Sequence, residues 1–178
     1  MLWIGKKYKF VFRISCMNMN AVDIMESVRK MFADYMDRNK FRKTPERFAI
    51  LETVYSMPGH FNIEELYEKL LSDGHFRVSR ATVYNTMELI LDAGLVLRHQ
   101  FSGTRVEYEK CFNVRPHNHK ICIMCGEVSE FSNDGLDRTI SEMRIPRFKQ
   151  SMYSLYVYGL CSKCQTKIKR AKKQETKK

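Results

Sequence analysis

A chain of 178 residues with 44% apolar content can form one large or two small hydrophobic cores, which excludes an intrinsically disordered protein. Its formal net charge of +11 lies in the first nineteen residues and in residues 163–178, so the body between them is neutral. Charge confined to the ends attracts any polyanion and does not by itself indicate a nucleic-acid-binding protein.

The N-terminal stretch MLWIGKKYKFVFRISC mixes charges into its apolar run and so lacks the core of a signal peptide. Amphipathic order begins only after Met17 and Met19, either of which would serve as the start of translation. No segment approaches the ~20 apolar residues of a membrane span. We therefore expect a cytoplasmic protein without membrane contact. In that compartment six cysteines, four of them at paired spacing, indicate metal binding more than disulfides.

Four amphipathic helices are predicted in the first half of the chain. The first covers Ala21 to Met36, and each of the others begins at a capping residue: Thr44 before Pro45, Asn62 and Ser79. The apolar residues repeat at intervals of three and four. The residues expected to face the core are Val22, Met25, Val28, Met31, Phe32, Tyr35, Phe48, Leu51, Val54, Tyr55, Ile63, Leu66, Tyr67, Leu70, Leu71, Val83, Met87, Ile90 and Leu91.

After Gly94 the apolar period changes from helical to extended. The stretches LVLRHQF and RVEYEKC flank the turn SGT, which predicts a β-hairpin. Three helices followed by a hairpin outline a winged helix, with the first helix as an addition in front. A joint is predicted at Pro116, and a smaller α+β lobe follows it, with a hairpin, a helix around Gly135 to Met143 and a strand over Ser151 to Gly159.

The outer face of the fourth helix carries side chains that can contact DNA bases. Once its apolar stripe is turned inward, the exposed residues are Arg80, Tyr84, Asn85 and Glu88. In a helix-turn-helix the second helix presents such residues to the major groove. Arginine can reach guanine or phosphate, asparagine can pair with adenine, and tyrosine can contact a thymine methyl group or a phosphate.

A basic run, RNKFRKTPER over residues 38–47, leads into the second helix. The side chains of Arg42, Lys43 and Arg47 would lie against the phosphate backbone while the fourth helix occupies the groove. A solvated turn without any partner is the alternative. The charge cluster and the order of the helices together favour contact with double-stranded DNA.

Two C-x2-C pairs, Cys122 with Cys125 and Cys161 with Cys164, are separated by 35 residues. Each pair brings two thiolates to one ion, and two pairs complete a tetrahedral zinc site with no position left open for chemistry. Such a site holds a small lobe together. Redox pairing of the thiols is the alternative, but a single C-x2-C in a thioredoxin-like frame would be typical of it.

His117 and His119 lie two residues apart on an extended segment, so their side chains point the same way and call for ligand partners. Four motifs supply the context: GHFNIEELY, RATVYNTMELILDAGLV, HNHKICIMCGEVSEF and SLYVYGLCSKC, in that order. Through them the chain resembles the ferric uptake regulator family of metal-dependent repressors over about residues 22–165.

The resemblance implies an α+β protein with an N-terminal winged-helix DNA-binding domain and a C-terminal α/β dimerisation domain with a structural zinc. It implies an N-terminal extension over 1–20, the DNA-binding domain over 21–111, a hinge over 112–116, the dimerisation domain over 117–165 and a basic tail over 166–178. The expected function is that of a homodimeric repressor, not an enzyme, that binds an operator with Fe²⁺ as corepressor and controls iron-uptake genes.

The regulatory metal ligands implied by the resemblance are His60, Glu109, His117, His119 and Glu130. Imidazole and carboxylate together suit Fe²⁺, Mn²⁺, Zn²⁺ or Co²⁺. A further metal site of some family members does not carry over, because its positions hold Pro116, Asn118, Asp137 and Tyr153.

Three other functions stay open at this point. A peroxide-sensing or zinc-sensing member of the same family is one, although the peroxide-sensing branch typically has aspartate at the position of Glu109. A zinc-dependent enzyme is the second, but the chain lacks H-E-x-x-H and lacks H-x-E with P-C-x-x-C. A zinc-stapled protein-interaction module without regulated DNA binding is the third.

Overall fold

A computed structural model describes residues 20–74, 78–102, 105–112, 117–150 and 153–175 of the chain. They divide into two compact units, one drawn from Met1–Gln100 and Thr104–Val114 and the other from Phe101–Gly103 and Arg115–Lys178. The predicted extension up to residue 19 and residues 113–116 of the predicted hinge lie outside the described residues. Within the described ranges no helix is long and apolar enough to cross a membrane.

In its described residues the N-terminal unit contains four helices and two strands that pair with each other. They are α1 (Ala21–Arg38), α2 (Pro45–Ser56), α3 (Ile63–Asp73), α4 (Arg80–Asp92), β1 (Val96–Ser102) and β2 (Arg105–Lys110). The last two residues of β1 are assigned to the C-terminal unit. Side chains from all four helices meet in one core, which includes Val28, Phe32, Met36, Leu51, Val54, Leu66, Val83, Met87 and Ile90. The predicted winged helix has this order of elements: α2, α3 and α4 are followed by a two-stranded sheet.

The predicted starts of α3 and α4 are confirmed by their capping hydrogen bonds. The backbone N–H of Glu65 donates to the side chain of Asn62 at 2.9 Å, and the backbone N–H of Asn62 donates to the carboxylate of Glu65 at 2.9 Å. The backbone N–H of Thr82 donates to the hydroxyl of Ser79 at 3.1 Å. Gly74 ends α3 in the left-handed conformation, with φ of +68°, which glycine adopts without strain.

The start of α2 differs from the prediction in one contact. Thr44 occupies the capping position before Pro45, but its side chain makes no capping hydrogen bond to the helix. The backbone N–H of Glu46 and the hydroxyl of Thr44 instead both donate hydrogen bonds to the carboxylate of Glu46, and these hydrogen bonds lower its pKa. Pro45 still favours a helix start here, since its ring presets the backbone angle and its missing N–H would have had no helical partner.

Most residues of the predicted apolar stripes are buried or half-buried, but two predictions are wrong. Val22 is 74% exposed because it lies in the first turn of α1, whose fully buried residues begin at Val28. Leu71 is 52% exposed, whereas its neighbour Leu70 is buried. Successive residues of a helix point about 100° apart, so the face centred on Leu66 and Leu70 does not extend to Leu71.

An isolated antiparallel bridge joins the connection between α2 and α3 to strand β2. The backbone N–H of Phe61 donates to the carbonyl of Tyr108 at 3.1 Å, and that of Tyr108 donates to the carbonyl of Phe61 at 2.7 Å. Both side chains are buried and their rings stack with centroids 6.0 Å apart. Because the pairing is antiparallel, the residue before Phe61 lies beside the residue after Tyr108. This places His60 beside Glu109.

The part of the C-terminal unit that the structure describes is a three-stranded sheet with two helices. Its elements are β3 (Asn118–Cys122), β4 (Val128–Phe131), α5 (Asp134–Glu142), β5 (Tyr156–Gly159) and α6 (Ser162–Glu175). Strand β3 lies in the centre, antiparallel to β4 and parallel to β5. A parallel pair needs a crossover, and the segment that contains α5 provides it. The predicted hairpin and helix are present, whereas the strand predicted over Ser151 to Gly159 begins only at Tyr156; residues 151–152 lie outside the described residues. The predicted α+β class is confirmed.

The predicted basic tail over 166–178 is helical up to Glu175, and residues 176–178 lie outside the described residues. Helix α6 begins directly after Cys161, and Cys164 in its first turn is buried. The side chains from Gln165 to Gln174 are exposed, except that of Ile168, which is half-buried. The predicted zinc ligands Cys161 and Cys164 therefore lie where α6 joins the sheet.

Two leucines of α3 provide a test of this core. Replacing the buried Leu66 by alanine should lower the free energy of unfolding by about 2 to 5 kcal/mol, because it leaves a cavity among the four helices. Replacing the exposed Leu71 by alanine should change it by no more than about 0.5 kcal/mol. Urea unfolding followed by circular dichroism measures both changes. Equal losses in the two variants would contradict the assigned helix face.

Candidate metal centres and nucleic-acid interface

Four cysteine thiols converge at one end of the C-terminal sheet. Cys122 ends β3, Cys125 follows in the turn, and Cys161 and Cys164 flank the start of α6. The four sulfurs all lie within 4.8 Å of one another, and those of Cys125 and Cys161 are 3.8 Å apart. Two thiolates bound at ~2.3 Å to one tetrahedral zinc ion lie ~3.8 Å apart, so this spacing is that of co-ligands.

Backbone geometry supports the same cluster. Gly126, with φ of +74°, closes the turn after Cys125, and its N–H donates to the carbonyl of Cys122 at 2.8 Å. The backbone N–H of Cys161 donates to the sulfur of Cys122 at 3.3 Å. N–H groups that point at a sulfur stabilise its thiolate form. These N–H groups thus stabilise the thiolate of Cys122, which is the form that binds a cation.

The four thiols differ in how readily they ionise. Backbone N–H groups of Cys161 and Cys125 lower the pKa of Cys122 to about 6. Burial and the neighbouring sulfurs raise the pKa of Cys164 to about 12. Without a metal, Cys164 therefore keeps its proton at neutral pH, and a bound Zn²⁺ would displace it. The donor set is soft, closed and complete, which fits a structural zinc ion.

A second group of donors lies in the N-terminal unit. The Nε2 atom of His60 is 3.5 Å from Oε2 of Glu109, and both side chains are largely buried. The Phe61–Tyr108 bridge accounts for this pairing of residues that are distant in sequence. Two donors of one tetrahedral ion with bonds of ~2.1 Å lie ~3.4 Å apart, so an ion fits between these atoms.

His99, which the sequence did not single out, lies against this pair of donors. Its Nε2 atom lies 3.0 Å from the same Glu109 oxygen, and its side chain is 3% exposed. Strand β1 alternates, so His99 shares a face with Leu97 and Phe101, which are half-buried and buried. The position of His99 on the apolar face of a predicted strand could have identified it from the sequence, because a buried polar side chain needs a hydrogen-bonding partner.

The C-terminal unit holds the third group of donors. The rings of His117 and His119 have centroids 4.9 Å apart, as expected for side chains on the same side of an extended segment. Strand pairing places Glu130 directly opposite His119, and its carboxylate lies 3.9 Å from Nε2 of His117. Imidazole and carboxylate donors here are borderline to hard, unlike the thiols of the cysteine cluster.

The positions of the further family metal site are occupied by hydrogen-bonding groups. Asn118 donates from its side chain to Oδ1 of Asp137 at 3.0 Å, and the hydroxyl of Tyr153 donates to the same oxygen. Pro116, the fourth position, lies outside the described residues. An amide and a phenol on one carboxylate oxygen make a direct link between β3, α5 and the segment before β5.

All four residues predicted on the outer face of α4 are exposed: Arg80, Tyr84, Asn85 and Glu88. Arg80 forms an ion pair with Glu64 of α3, and its guanidinium lies 4.4 Å from the ring centroid of Tyr67. Exposed ion pairs contribute only about 0 to 1 kcal/mol, so Arg80 can exchange this partner for another anion.

The basic run enters α2 as an exposed loop. Lys43 donates to the carboxylate of Asp37 at 2.6 Å, and Arg47 donates to the backbone carbonyl of Arg42. Arg42 and Lys43 are exposed and Arg47 is half-buried. The charged groups of Arg42 and Lys43 are therefore exposed, and the side chains of Lys43 and Arg47 are anchored by local hydrogen bonds.

Comparison with known proteins relates most of this chain to one family. The ferric uptake regulator family matches residues 38–158. The ferric uptake regulation protein of Vibrio cholerae is 39% identical over 121 residues, which are 66% of this chain and 79% of that protein.

Two solved structures agree with this match. The Vibrio cholerae ferric uptake regulator is 34% identical, with a TM-score of 0.56 over 72% of this chain and 98% of that one. The ferric uptake regulator from Pseudomonas aeruginosa with manganese is 28% identical, with a TM-score of 0.63 over 73% of this chain and 97% of that one. The likeness covers almost the whole length of both solved chains.

The cysteine cluster generates a prediction about zinc content. Cys122→Ser in the full chain should remove tightly bound zinc and unfold the C-terminal unit, because the remaining thiols no longer close a tetrahedral shell. Cys111→Ala is the matched control, since Cys111 lies outside the cluster. Elemental analysis and near-ultraviolet circular dichroism measure the two effects. Zinc retained at the wild-type level in Cys122→Ser would contradict the assignment.

Proposed function

Because the chain belongs to the ferric uptake regulator family, whose members are metal-responsive transcription regulators and not enzymes, we propose that it is a cytoplasmic repressor of iron-uptake genes. It binds double-stranded operator DNA as a homodimer when Fe²⁺ occupies its regulatory site. The observation that carries the proposal is that each unit holds its own incomplete set of metal donors: His60 with Glu109 in one, and His117 with His119 in the other.

Neither set can hold a divalent ion well by itself. Two side-chain donors leave half or more of a coordination sphere of four to six ligands to water. An ion that takes donors from both sets gains ligands only when the units adopt one particular arrangement. We propose that His60, Glu109, His117 and His119 bind one regulatory ion together, with Glu130 as a further ligand.

The bound ion supplies electrostatic cross-linking of the two units and no covalent chemistry. Its preference for the joined arrangement sets the orientation of helix α4 relative to the C-terminal unit, and thereby the spacing of two α4 helices across a dimer. The free energy by which the metal strengthens operator binding equals the ion's free-energy preference for the joined arrangement. Typical allosteric values of about 1 to 3 kcal/mol correspond to a change of about 5 to 150-fold in operator affinity.

Iron is the proposed regulatory ion because relatives at 35–39% identity, that of Vibrio cholerae among them, are named ferric uptake regulation proteins. The donors suit several divalent ions, and intrinsic affinity rises towards Zn²⁺ and Cu²⁺. Selection of iron therefore depends on the metal that is available in the cell. The four cysteines of the C-terminal unit are proposed to hold a separate, permanent Zn²⁺ that keeps this unit folded.

Helix α4 is proposed as the DNA-recognition helix, with Arg80, Tyr84 and Asn85 at the major groove. Arg80 exchanges Glu64 for a guanine edge or a phosphate oxygen on binding, while Tyr67 keeps its guanidinium in place. Arg42, Lys43 and Arg47 contact the phosphate backbone.

The homodimer is proposed to form through the C-terminal unit. Strand β5 lies at the edge of its sheet within the described residues and carries the exposed side chains of Val157 and Tyr158. Unpaired edge strands with exposed apolar side chains are favourable places for pairing with a second chain. Further exposed apolar residues of this unit are Ile123, Met124, Met143, Ile145, Phe148 and Leu160.

Removal of one shared ligand provides the test of metal control. In His117→Ala, operator affinity in the presence of Mn²⁺ or Fe²⁺ should fall by about 5 to 150-fold to the metal-free level, because the ion no longer joins the units. Footprinting on the promoter region of its own gene with Fe²⁺, Mn²⁺ and Zn²⁺ measures this and identifies the activating metal. His75→Ala, outside the proposed ligand set, is the control.

His117→Ala should keep the zinc content and the unfolding midpoint of the unaltered protein, because the cysteine cluster is intact. Metal-dependent protection that persists in His117→Ala would disprove the shared regulatory site. Loss of zinc from this variant would instead show that the histidines belong to the structural site.

Two substitutions separate base recognition from charge. Asn85→Ala should weaken binding to the operator by about 1 to 3 kcal/mol and leave binding to unrelated DNA unchanged. Arg42→Gln should weaken binding to both and reduce the slope of log affinity against log salt by about 0.9. Lys30→Gln on α1 removes an equal charge outside the proposed interface. Fluorescence anisotropy across a salt series distinguishes the variants. An unaltered slope of log affinity against log salt in Arg42→Gln would show that Arg42 does not contact the DNA backbone.

A further inference from the structure

His99 forms a close contact with a proposed metal ligand although nothing in the family resemblance assigns it a role. It lies on β1, while Glu109 lies on β2, the strand that pairs with β1. Nε2 of His99 is 3.0 Å from Oε2 of Glu109, and the side chains are 3% and 9% exposed. A carboxylate so far from water requires hydrogen-bond donors to remain ionised.

The same Glu109 oxygen faces two histidines at different distances. Nε2 of His60 is 3.5 Å away, which is longer than a good hydrogen bond and close to the ~3.4 Å that separates two donors of one tetrahedral ion. Nε2 of His99 at 3.0 Å is at the ordinary length of an N–H···O hydrogen bond. The two contacts thus match different roles, ligand for His60 and hydrogen-bond donor for His99.

A hydrogen bond to an ionised carboxylate, which can only accept, assigns the proton of a neutral His99 to Nε2. The ring of His60 meets that of His99 edge to face, with centroids 5.7 Å apart and an interplanar angle of 82°. His99 therefore contacts both residues that the N-terminal unit offers to the metal.

We infer that His99 is a positioning residue that holds the Glu109 carboxylate towards His60 and the regulatory ion, and that it is not itself a ligand. The inference rests on the proposed function, because it concerns the same metal site. Hydrogen-bond partners of metal ligands typically change metal affinity by about 10 to 100-fold when they are removed. His99 would contribute by keeping Glu109 in its ligand rotamer before the ion arrives.

Two variants of the full-length, zinc-replete protein test the role. His99→Phe keeps the aromatic ring beside His60 and removes the donor, whereas His99→Gln keeps an N–H donor. Mn²⁺ affinity, measured by competition with a chelator, should fall by about 10 to 100-fold in His99→Phe and be largely restored in His99→Gln. Glu109→Gln, which removes the ligand itself, serves as the reference. Equal, large losses in both His99 variants, or no loss in His99→Phe, would overturn the inference.

The number of bound imidazoles provides a readout that a purely structural role would not give. X-ray absorption of the Co²⁺-loaded site should report the same count of imidazole ligands in the unaltered protein and in His99→Gln. A count lower by one in His99→Gln would identify His99 as a ligand and overturn the positioning role.

A measurement on the unaltered protein keeps the inference testable if His99→Phe does not fold. In ¹⁵N-histidine NMR of the zinc-replete protein, His99 should be the Nε2–H tautomer both before and after the regulatory metal is added. Metal coordination at Nε2 would remove that proton and overturn the inference. His60→Ala separates this outcome from failure of the proposed function: metal-responsive operator binding that persists in His60→Ala disproves the shared site whatever His99 does.

Discussion

The two backbone hydrogen bonds between Phe61 and Tyr108 are the constraint on which the N-terminal half of the proposed regulatory site depends. They join the connection that precedes α3 to strand β2 and so place His60 beside Glu109. The bridge is held by two buried, stacked rings, which makes it part of the core. Two donors of the metal site are therefore fixed by the packing of the winged helix itself, before any ion is present.

The thiol donors and the imidazole and carboxylate donors of this protein differ in chemical character, and we propose that this difference separates structure from regulation. Four thiols within 4.8 Å of one another form a closed shell that suits Zn²⁺ and leaves no ligand to exchange. The imidazole and carboxylate donors are divided between two units and suit ions that bind and leave as their concentration changes. A switch requires this division, because a permanently complete site could not report the availability of metal.

Much of the fold follows from local sequence signals, and the parts that do not follow depend on pairing between distant segments. Capping at Asn62 and Ser79 is set within three residues, so the starts of α3 and α4 could be predicted. The cysteine cluster could also be predicted, since two C-x2-C pairs have few other uses. The proximity of His99 to Glu109 depends on the pairing of β1 with β2, and the ion pair of Arg80 with Glu64 depends on the packing of α3 against α4. No short-range pattern specifies either contact.

The central claim is that one regulatory ion takes ligands from both units. Anomalous diffraction from crystals of the zinc-replete protein loaded with Mn²⁺ tests it most directly, because the manganese absorption edge distinguishes this ion from zinc. The account predicts one manganese peak per protomer, bonded to His60 and Glu109 and also to His117 and His119. Separate manganese peaks in the two units, or one peak bonded to the ligands of a single unit, would contradict it.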